Sequence, residues 1–276
     1  MKKRISLTIN SDILKQLDNF IDNVNFGSRS CFIEFCIKKY IENSNVAVIL
    51  SGGSPKKLKI GDKFKFLIPI RKNLTLIDLL FEKLKNFSKI YFVGHKEVID
   101  TCFERFGNIV GSAEVEYIEE KRELGNAKTL ELVRDKLPNK FLILPIDQYY
   151  EFDFFDLLRK HDINQAIYGS IITLVVSPIS TKEKYGSVAM LGNKIVKHEE
   201  GKEGKKKLIS AFAAVCDKKI FDYIPRGELR WVLQENIYPK LIEREAMSGY
   251  LIDTPIFNIH TEKDIFKLRK YLSLKN

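Results

Sequence analysis

The sequence has no apolar stretch near the roughly 20 residues that cross a membrane, and its first residues lack the apolar core of a signal peptide. A soluble, cytoplasmic protein with no membrane partner is expected. Cysteine is scarce: Cys31, Cys36, Cys102 and Cys216 show neither CxxC pairing nor a disulfide framework, so free, buried thiols are expected. The four histidines, His95, His161, His198 and His260, are scattered without zinc-ligand spacing, which excludes an evident metal centre of nitrogen and sulfur ligands. Internal repeats are absent, and the lysine-rich 201–207 is the one biased tract.

What is present is enough apolar material for a sizeable core, 45% of 276 residues, and an excess of positive charge, formally +10. Within residues 1–45, Lys2, Lys3, Arg4, Lys15, Arg29, Lys38 and Lys39 outnumber Asp12, Asp18, Asp22, Glu34 and Glu42 by two, so most of the excess lies downstream. A generic lysine-rich surface and a nucleic-acid footprint explain that excess equally well.

The chain reads as two units, 1–44 and 45–276. In the first, Ile5, Leu7 and Ile9 alternate with Arg4, Ser6 and Thr8, the pattern of a two-faced strand. Asn10 or Ser11 caps a helix carrying Ile13, Leu14, Leu17, Phe20 and Ile21 at helical spacing. Asn25-Phe26-Gly27 makes a turn, and Ser28 caps a second helix with Phe32, Phe35, Cys36, Tyr40 and Ile41 along its buried side. So short a unit, with an unpaired strand, needs a partner chain to complete its core. Strand, helix, turn and helix at these lengths resemble the ribbon-helix-helix family, in which two chains pair their strands and place the ribbon in the DNA major groove. That resemblance implies a homodimer on double-stranded DNA. Arg4, Ser6 and Thr8 would face base edges, and Ser28 and Arg29 would offer the start of the second helix to a phosphate. A dimerisation module with a polar ribbon is the blander alternative.

In the second unit, the apolar run Val46 to Leu50 breaks at Ser51-Gly52-Gly53, followed by Lys56, Lys57, Lys59, Lys63 and Lys65. A buried strand, a glycine turn open to close approach and downstream positive charge suit a phosphate, although each alone is commoner as a plain turn or a solvated surface. Strands and helices then alternate: helix 75–86, strand 89–93, helix 96–106 and strand 114–118. This predicts an α/β fold, a mostly parallel Rossmann-like sheet with helices on both faces.

The order of these segments resembles the sugar-phosphate nucleotidyltransferases. Their Gly-Gly-x-Gly-Thr-Arg-Leu loop corresponds to the stretch after Leu50, where Gly52 and Gly53 would face the nucleotide and Lys57 takes the arginine's place; Lys65 falls at the family's substrate lysine. Leu124-Gly125-Asn126-Ala127 resembles the segment against the base, with Glu120 where a base-reading glutamine stands. After the strand Lys140 to Ile146, Asp147 matches the first metal aspartate, with Ile146 replacing a glycine and expected to crowd the nucleotide. Tyr185-Gly186-Ser187-Val188 and Lys194 to Glu200 resemble the sugar-phosphate half, where Glu200 matches a glutamate and Lys202 stands in for a lysine lost to Gly201. Phe212 replaces a glycine at the sugar pocket. Asn258, in Ile256-Phe257-Asn258-Ile259-His260-Thr261, occupies the second metal aspartate's place, so Mg²⁺ would be held by Asp147 and an amide.

These departures lead to an expected DNA-binding regulator, of transcription-regulator type, dimeric or higher, whose nucleotidyltransferase-like domain holds a nucleotide or sugar nucleotide, or serves assembly, without efficient turnover. Two alternatives stand beside it: an active sugar-1-phosphate nucleotidyltransferase using Mg²⁺ and a nucleoside triphosphate, with Lys57, Lys65 and Asp147 catalytic, and an architectural DNA-binding protein.

Overall fold

The computed structural model describes residues 3–22, 24–178, 186–199 and 208–274, with the backbone alone at 39 and 41–44. The chain divides into two compact units, Met1–Ser44 and Asn45–Asn276.

In the first unit, Asn10 caps the helix Ser11–Asp18 by accepting the Asp12 N–H at 2.8 Å. The Asp22 carboxylate gathers the N–H groups of Val24, Asn25 and Phe26 and so closes the connection. Ser28 Oγ then accepts the Cys31 N–H at 3.2 Å and opens the helix Arg29–Ser44. Phe20 stacks on Phe32 with ring centroids 4.8 Å apart, and Phe26 bridges Phe32 and Phe35. In this single chain residues 3–10 form no strand; the two-faced strand expected there needs a second copy to pair with. The Arg29 guanidinium is engaged by Asp18 through a two-point fork at 2.6 and 2.7 Å, which ties the start of the second helix to the end of the first. Arg4, Ser6 and Thr8 are accessible, and Ile5 and Leu7 are exposed beside them.

The second unit is a mixed sheet whose seven main strands lie in the order Ala113–Glu119, Lys89–Gly94, Val46–Ser51, Lys140–Pro145, Ile209–Asp217, Ile172–Ser177 and Met247–Leu251. All run parallel except Ile209–Asp217, which is antiparallel to both its neighbours. The hairpin Gly186–Leu191/Lys194–Glu199 attaches beside the antiparallel strand. Alternation within a fully buried strand decides the layers: Ala47 and Ile49 point into one core and Val46, Val48 and Leu50 into the other. The first core is covered by helices Leu76–Leu84, Lys96–Phe106, Phe154–Tyr168 and Glu262–Ser273; the second by Asn126–Glu131 and the segment from Leu233 to Glu243. Helix starts follow local chemistry, as at Thr75, whose capping box with Asp78 is braced by an Arg105 fork.

Of the four cysteines only Cys102 and Cys216 are buried; Cys31 and Cys36 are exposed on the second helix of the small unit. No described helix is long and apolar enough to cross a membrane.

One buried polar cluster sets a pH limit on this fold. His161 is wholly buried, with Nδ1 3.0 Å from Thr173 Oγ1, and burial pushes its pKa from 6.5 down to about 4, with Asp162 and Lys140 opposing each other nearby. Between those values the unfolded chain binds the extra proton, so stability is full above 6.5 and is lost as pH falls through the window. Unfolding free energy from urea titrations should drop by about 2 kcal/mol on this account by about pH 5, and His161→Asn should flatten that dependence. An unchanged slope in the variant would refute the assignment.

Candidate functional site

The parallel strands Val46–Ser51 and Lys140–Pro145 end side by side, and ligands of open α/β sheets collect at such ends. Two adjoining cavities of about 220 Å³ each open there, and Pro145 and Phe212 line both.

The first cavity lies between the Gly52-Gly53 turn and the helix Asn126–Glu131, and Leu50, Gly125, Asn126 and Thr129 complete most of its lining. Glycine is required in the turn by close approach. A Cβ on Gly52 would come within 2.4 Å of the Glu120 carboxylate, and Gly53 sits at φ 83°. Glu120 is buried and accepts the Gly53 N–H at 2.6 Å through Oε2, while its Oε1 accepts the Thr129 hydroxyl. Expected to read a base, Glu120 instead fastens the turn from behind and does not line the cavity. Gly125 also has a positive φ of 93°, and a Cβ there would collide with the Trp231 carbonyl oxygen at 2.5 Å.

The second cavity is polar. Asp147 and Gln148 contribute from the end of Lys140–Pro145, Ser210 and Phe212 from the antiparallel strand, His198 from the hairpin, Gln234 and Tyr238 from the segment beyond Val232, and Asn258 from the small ladder. That ladder pairs Gln148 with Asn258, and the Ile259 N–H donates to the Asp147 carbonyl oxygen at 2.9 Å, which brings Asp147 and Asn258 together. Lys65, almost fully buried, places its Nζ 2.6 Å from Asp147 Oδ2. An ammonium so enclosed needs its carboxylate partner. His198 rests edge-on to Tyr238 with Nε2 3.2 Å from Ser210 Oγ, and burial lowers its pKa to about 4, so the imidazole is neutral near pH 7.

Several positions fall elsewhere than the resemblance implied. Lys57 is exposed on the turn Pro55–Leu58 and lines neither cavity. Ile146, expected to crowd the nucleotide, is buried with its side chain in the hydrophobic core. His260 is exposed. Phe212 forms the wall between the two cavities. Tyr185, Glu200 and Lys202 lie outside the described residues. Thr129, Gln148, His198, Ser210, Gln234 and Tyr238 are not singled out as site residues in the sequence; Thr129, His198 and Ser210 lie within family-like segments and Gln148 follows Asp147, whereas Gln234 and Tyr238 stand near no such segment.

Among the described residues no cluster of three or more His, Cys, Asp or Glu could hold a metal ion by itself. One carboxylate and one amide at Asp147 and Asn258 are hard oxygen donors, which fits Mg²⁺ where substrate phosphates and water supply the rest of its shell.

A doubly covered α/β sheet with a glycine turn and an acidic strand end opening on one cleft is the arrangement of the nucleotide-binding α/β proteins. The family model for nucleotidyl transferases matches residues 46–229, and the chain belongs to that family. Solved structures share the fold at low identity. A protein from Bacillus anthracis, provisionally assigned as a glucose-1-phosphate thymidylyltransferase and crystallised with sucrose, superposes with a TM-score of 0.69 at 18% identity, covering 82% of this chain and 94% of that one. HddC from Yersinia pseudotuberculosis gives 0.65 at 18%, covering 83% and 99%. The inositol-1-phosphate CTP transferase from T. maritima gives 0.64 at 18%, covering 83% and 96%. No curated protein matches the sequence significantly.

The turn geometry is testable. Gly52→Ala should cost about 1–3 kcal/mol of stability through overpacking against Glu120 and weaken nucleotide binding at least about tenfold. Gly53→Ala, whose Cβ meets nothing within 4 Å, should cost only the strain of its positive φ, about 1–2 kcal/mol. Thermal unfolding with nucleotide titration of both variants separates the two; equal effects would refute the close-approach argument.

Proposed function

We propose that the chain is a nucleotidyltransferase that couples a nucleoside triphosphate to a phosphorylated polyol of the sugar 1-phosphate class. The observation that carries this reading is the buried Lys65 ammonium against Asp147, with Asn258 alongside, at the end of the Lys140–Pro145 strand. The first cavity takes the nucleoside, and the polar second cavity takes the acceptor, whose hydroxyls meet Gln148, Ser210, Gln234 and neutral His198. An acceptor phosphate oxygen attacks the α-phosphorus, a new P–O bond forms, the bond from the α-phosphorus to the bridging oxygen breaks, and pyrophosphate leaves with the electron pair. The attacking phosphate is already ionised near pH 7, so no general base is required. Lys65 contributes positive charge where the transition state accumulates negative charge, and Asp147 keeps that ammonium aimed. Bound at Asp147 and Asn258, Mg²⁺ would supply further charge neutralisation to the phosphates. The burial of Ile146 in the core removes one of the departures that argued against turnover.

Purified protein with Mg²⁺, the common nucleoside triphosphates and a panel of sugar 1-phosphates should release pyrophosphate. Asp147→Ala and Lys65→Ala should each lower the rate by about 10²-fold or more. Asn258→Asp, which adds a charge to the oxygen-donor pair, should raise activity or Mg²⁺ affinity. No release from any pairing, even after Asn258→Asp, would sink the catalytic reading and leave a cleft that binds without turnover.

A second reading concerns the small unit. Arg4, Ser6 and Thr8 are accessible next to exposed Ile5 and Leu7, a face that pairing of residues 4–9 with those of a second copy would cover while leaving Arg4 for DNA. Under this reading the protein is a dimer, and Arg4→Ala weakens binding to its preferred duplex by about 1–3 kcal/mol in a gel-shift titration at fixed salt. Equal affinity of wild type and variant would remove base reading and leave dimerisation as the role of the unit.

A further inference from the structure

A larger cavity of about 750 Å³, which shares no lining residue with the first two, is lined by Trp231, Lys240, Glu243 and Arg244 of the segment from Trp231 to Arg244. Lys219, Lys240 and Arg244 face it, together with the rings of Tyr223 and Trp231. None of the three cations makes an ion pair among the described residues. Two of them instead sit over aromatic faces, Lys240 Nζ 5.2 Å from the Trp231 ring centre and Arg244 5.4 Å from that of Tyr223. The rings are held in place: the Trp231 indole N–H donates to the Tyr223 carbonyl oxygen at 3.2 Å, and Arg244 donates to the Tyr223 hydroxyl at 3.2 Å. Asp222 and Glu243 also line the cavity and leave it a net single positive charge. That balance suits a short phosphate chain and disfavours an extended nucleic-acid backbone, which would require a larger basic surface. The volume lies within the range of small-ligand pockets.

We propose that this cavity is a second binding site, separate from the cleft, for a nucleoside phosphate: the base against Tyr223 and Trp231, the phosphates on Lys219, Lys240 and Arg244, the ribose hydroxyls toward Asp222 or Glu243. The site is wired to the cleft by its own backbone. The Trp231 N–H donates to the Leu124 carbonyl oxygen at 2.7 Å, and its carbonyl oxygen accepts the Ala127 N–H at 3.2 Å, so the residue whose ring lines the larger cavity clamps the Gly125 loop of the first one. Asn126 is held from the same side, accepting the Leu233 N–H at 2.8 Å and donating to Gln234 Oε1 at 2.9 Å. The π-helical turn Leu233–Ile237 and the helix Tyr238–Glu243 thus present Gln234 and Tyr238 to the cleft and Lys240 and Glu243 to the larger cavity. A ligand there therefore acts on the loop that contacts the nucleotide in the first cavity.

Trp231 is the only tryptophan of the sequence, so its fluorescence reports the larger cavity directly. Intact protein would be titrated with ADP, GDP, UDP and CDP, and with inorganic pyrophosphate as the arm that lacks a base. The expected result is a saturable change with at least one nucleoside diphosphate that persists in Asp147→Ala and weakens at least tenfold in Lys240→Ala/Arg244→Ala. Both replaced side chains are exposed, and thermal unfolding checks the fold of the variant; Lys219→Ala offers the same reading should that pair melt early. Absence of a saturable change up to millimolar concentration would overturn the proposal. So would a change lost in Asp147→Ala but kept in the double variant, because the signal would then come from the cleft. Pyrophosphate matching every nucleotide would overturn the nucleoside assignment. The readout needs no turnover, so failure of pyrophosphate release would leave it standing.

Discussion

The cleft depends on one buried carboxylate. Glu120 joins the end of the Val46–Ser51 strand, through the Gly53 N–H, to the helix that carries Thr129, and its own N–H donates to the Gly94 carbonyl oxygen at 2.7 Å. Two strand ends and a helix thus meet at a single residue, the side chain holding the turn and the helix and the backbone holding Gly94. A hydrogen bond to a charged group contributes about 1.5–3 kcal/mol, and a buried carboxylate deprived of its donors is unfavourable by more than that. The glycine turn keeps its shape because this anion lies beneath it, and Gly52 can have no side chain for the same reason.

Much of the fold is legible where local chemistry decides. The unbroken run Val46 to Leu50 announces a strand buried on both faces, and Thr75 and His95 mark helix starts through their own caps. The site is less legible because its residues meet only in three dimensions. Gln234 and Tyr238 reach the polar second cavity through a π-helical turn that no periodicity predicts, and Ser210 does so only because its strand runs against its neighbours. Ile146 misleads in the other direction. Residue type at a matched position suggested obstruction, whereas side-chain direction at the strand end sends it into the core.

The two units stand on different physical footings. The larger one buries both faces of its sheet beneath its own helices. The smaller one rests on a phenylalanine cluster and leaves Ile5, Leu7, Ile13 and Phe35 exposed, and among its described residues only Leu17 is a buried hydrophobic. A unit of that size gains little from its own core, so association is its natural source of further stability.

The reversed direction of Ile209–Asp217 has a further consequence. Its register with Lys140–Pro145 sets the beginning of the strand, Ser210 to Phe212, beside the finishing end of its neighbour. On the parallel strands Val46–Ser51 and Lys140–Pro145, Leu50 and Pro145 apart, the residues that line the cavities belong to the loops that follow, and such loops accept insertions and length changes freely. Phe212 belongs to a sheet whose spacing fixes it. The partition of the cleft can therefore change by exchange of one side chain for another, but not by lengthening or shortening the chain there, so the two cavities would be reshaped in discrete steps of ring, branch or hydrogen at that point.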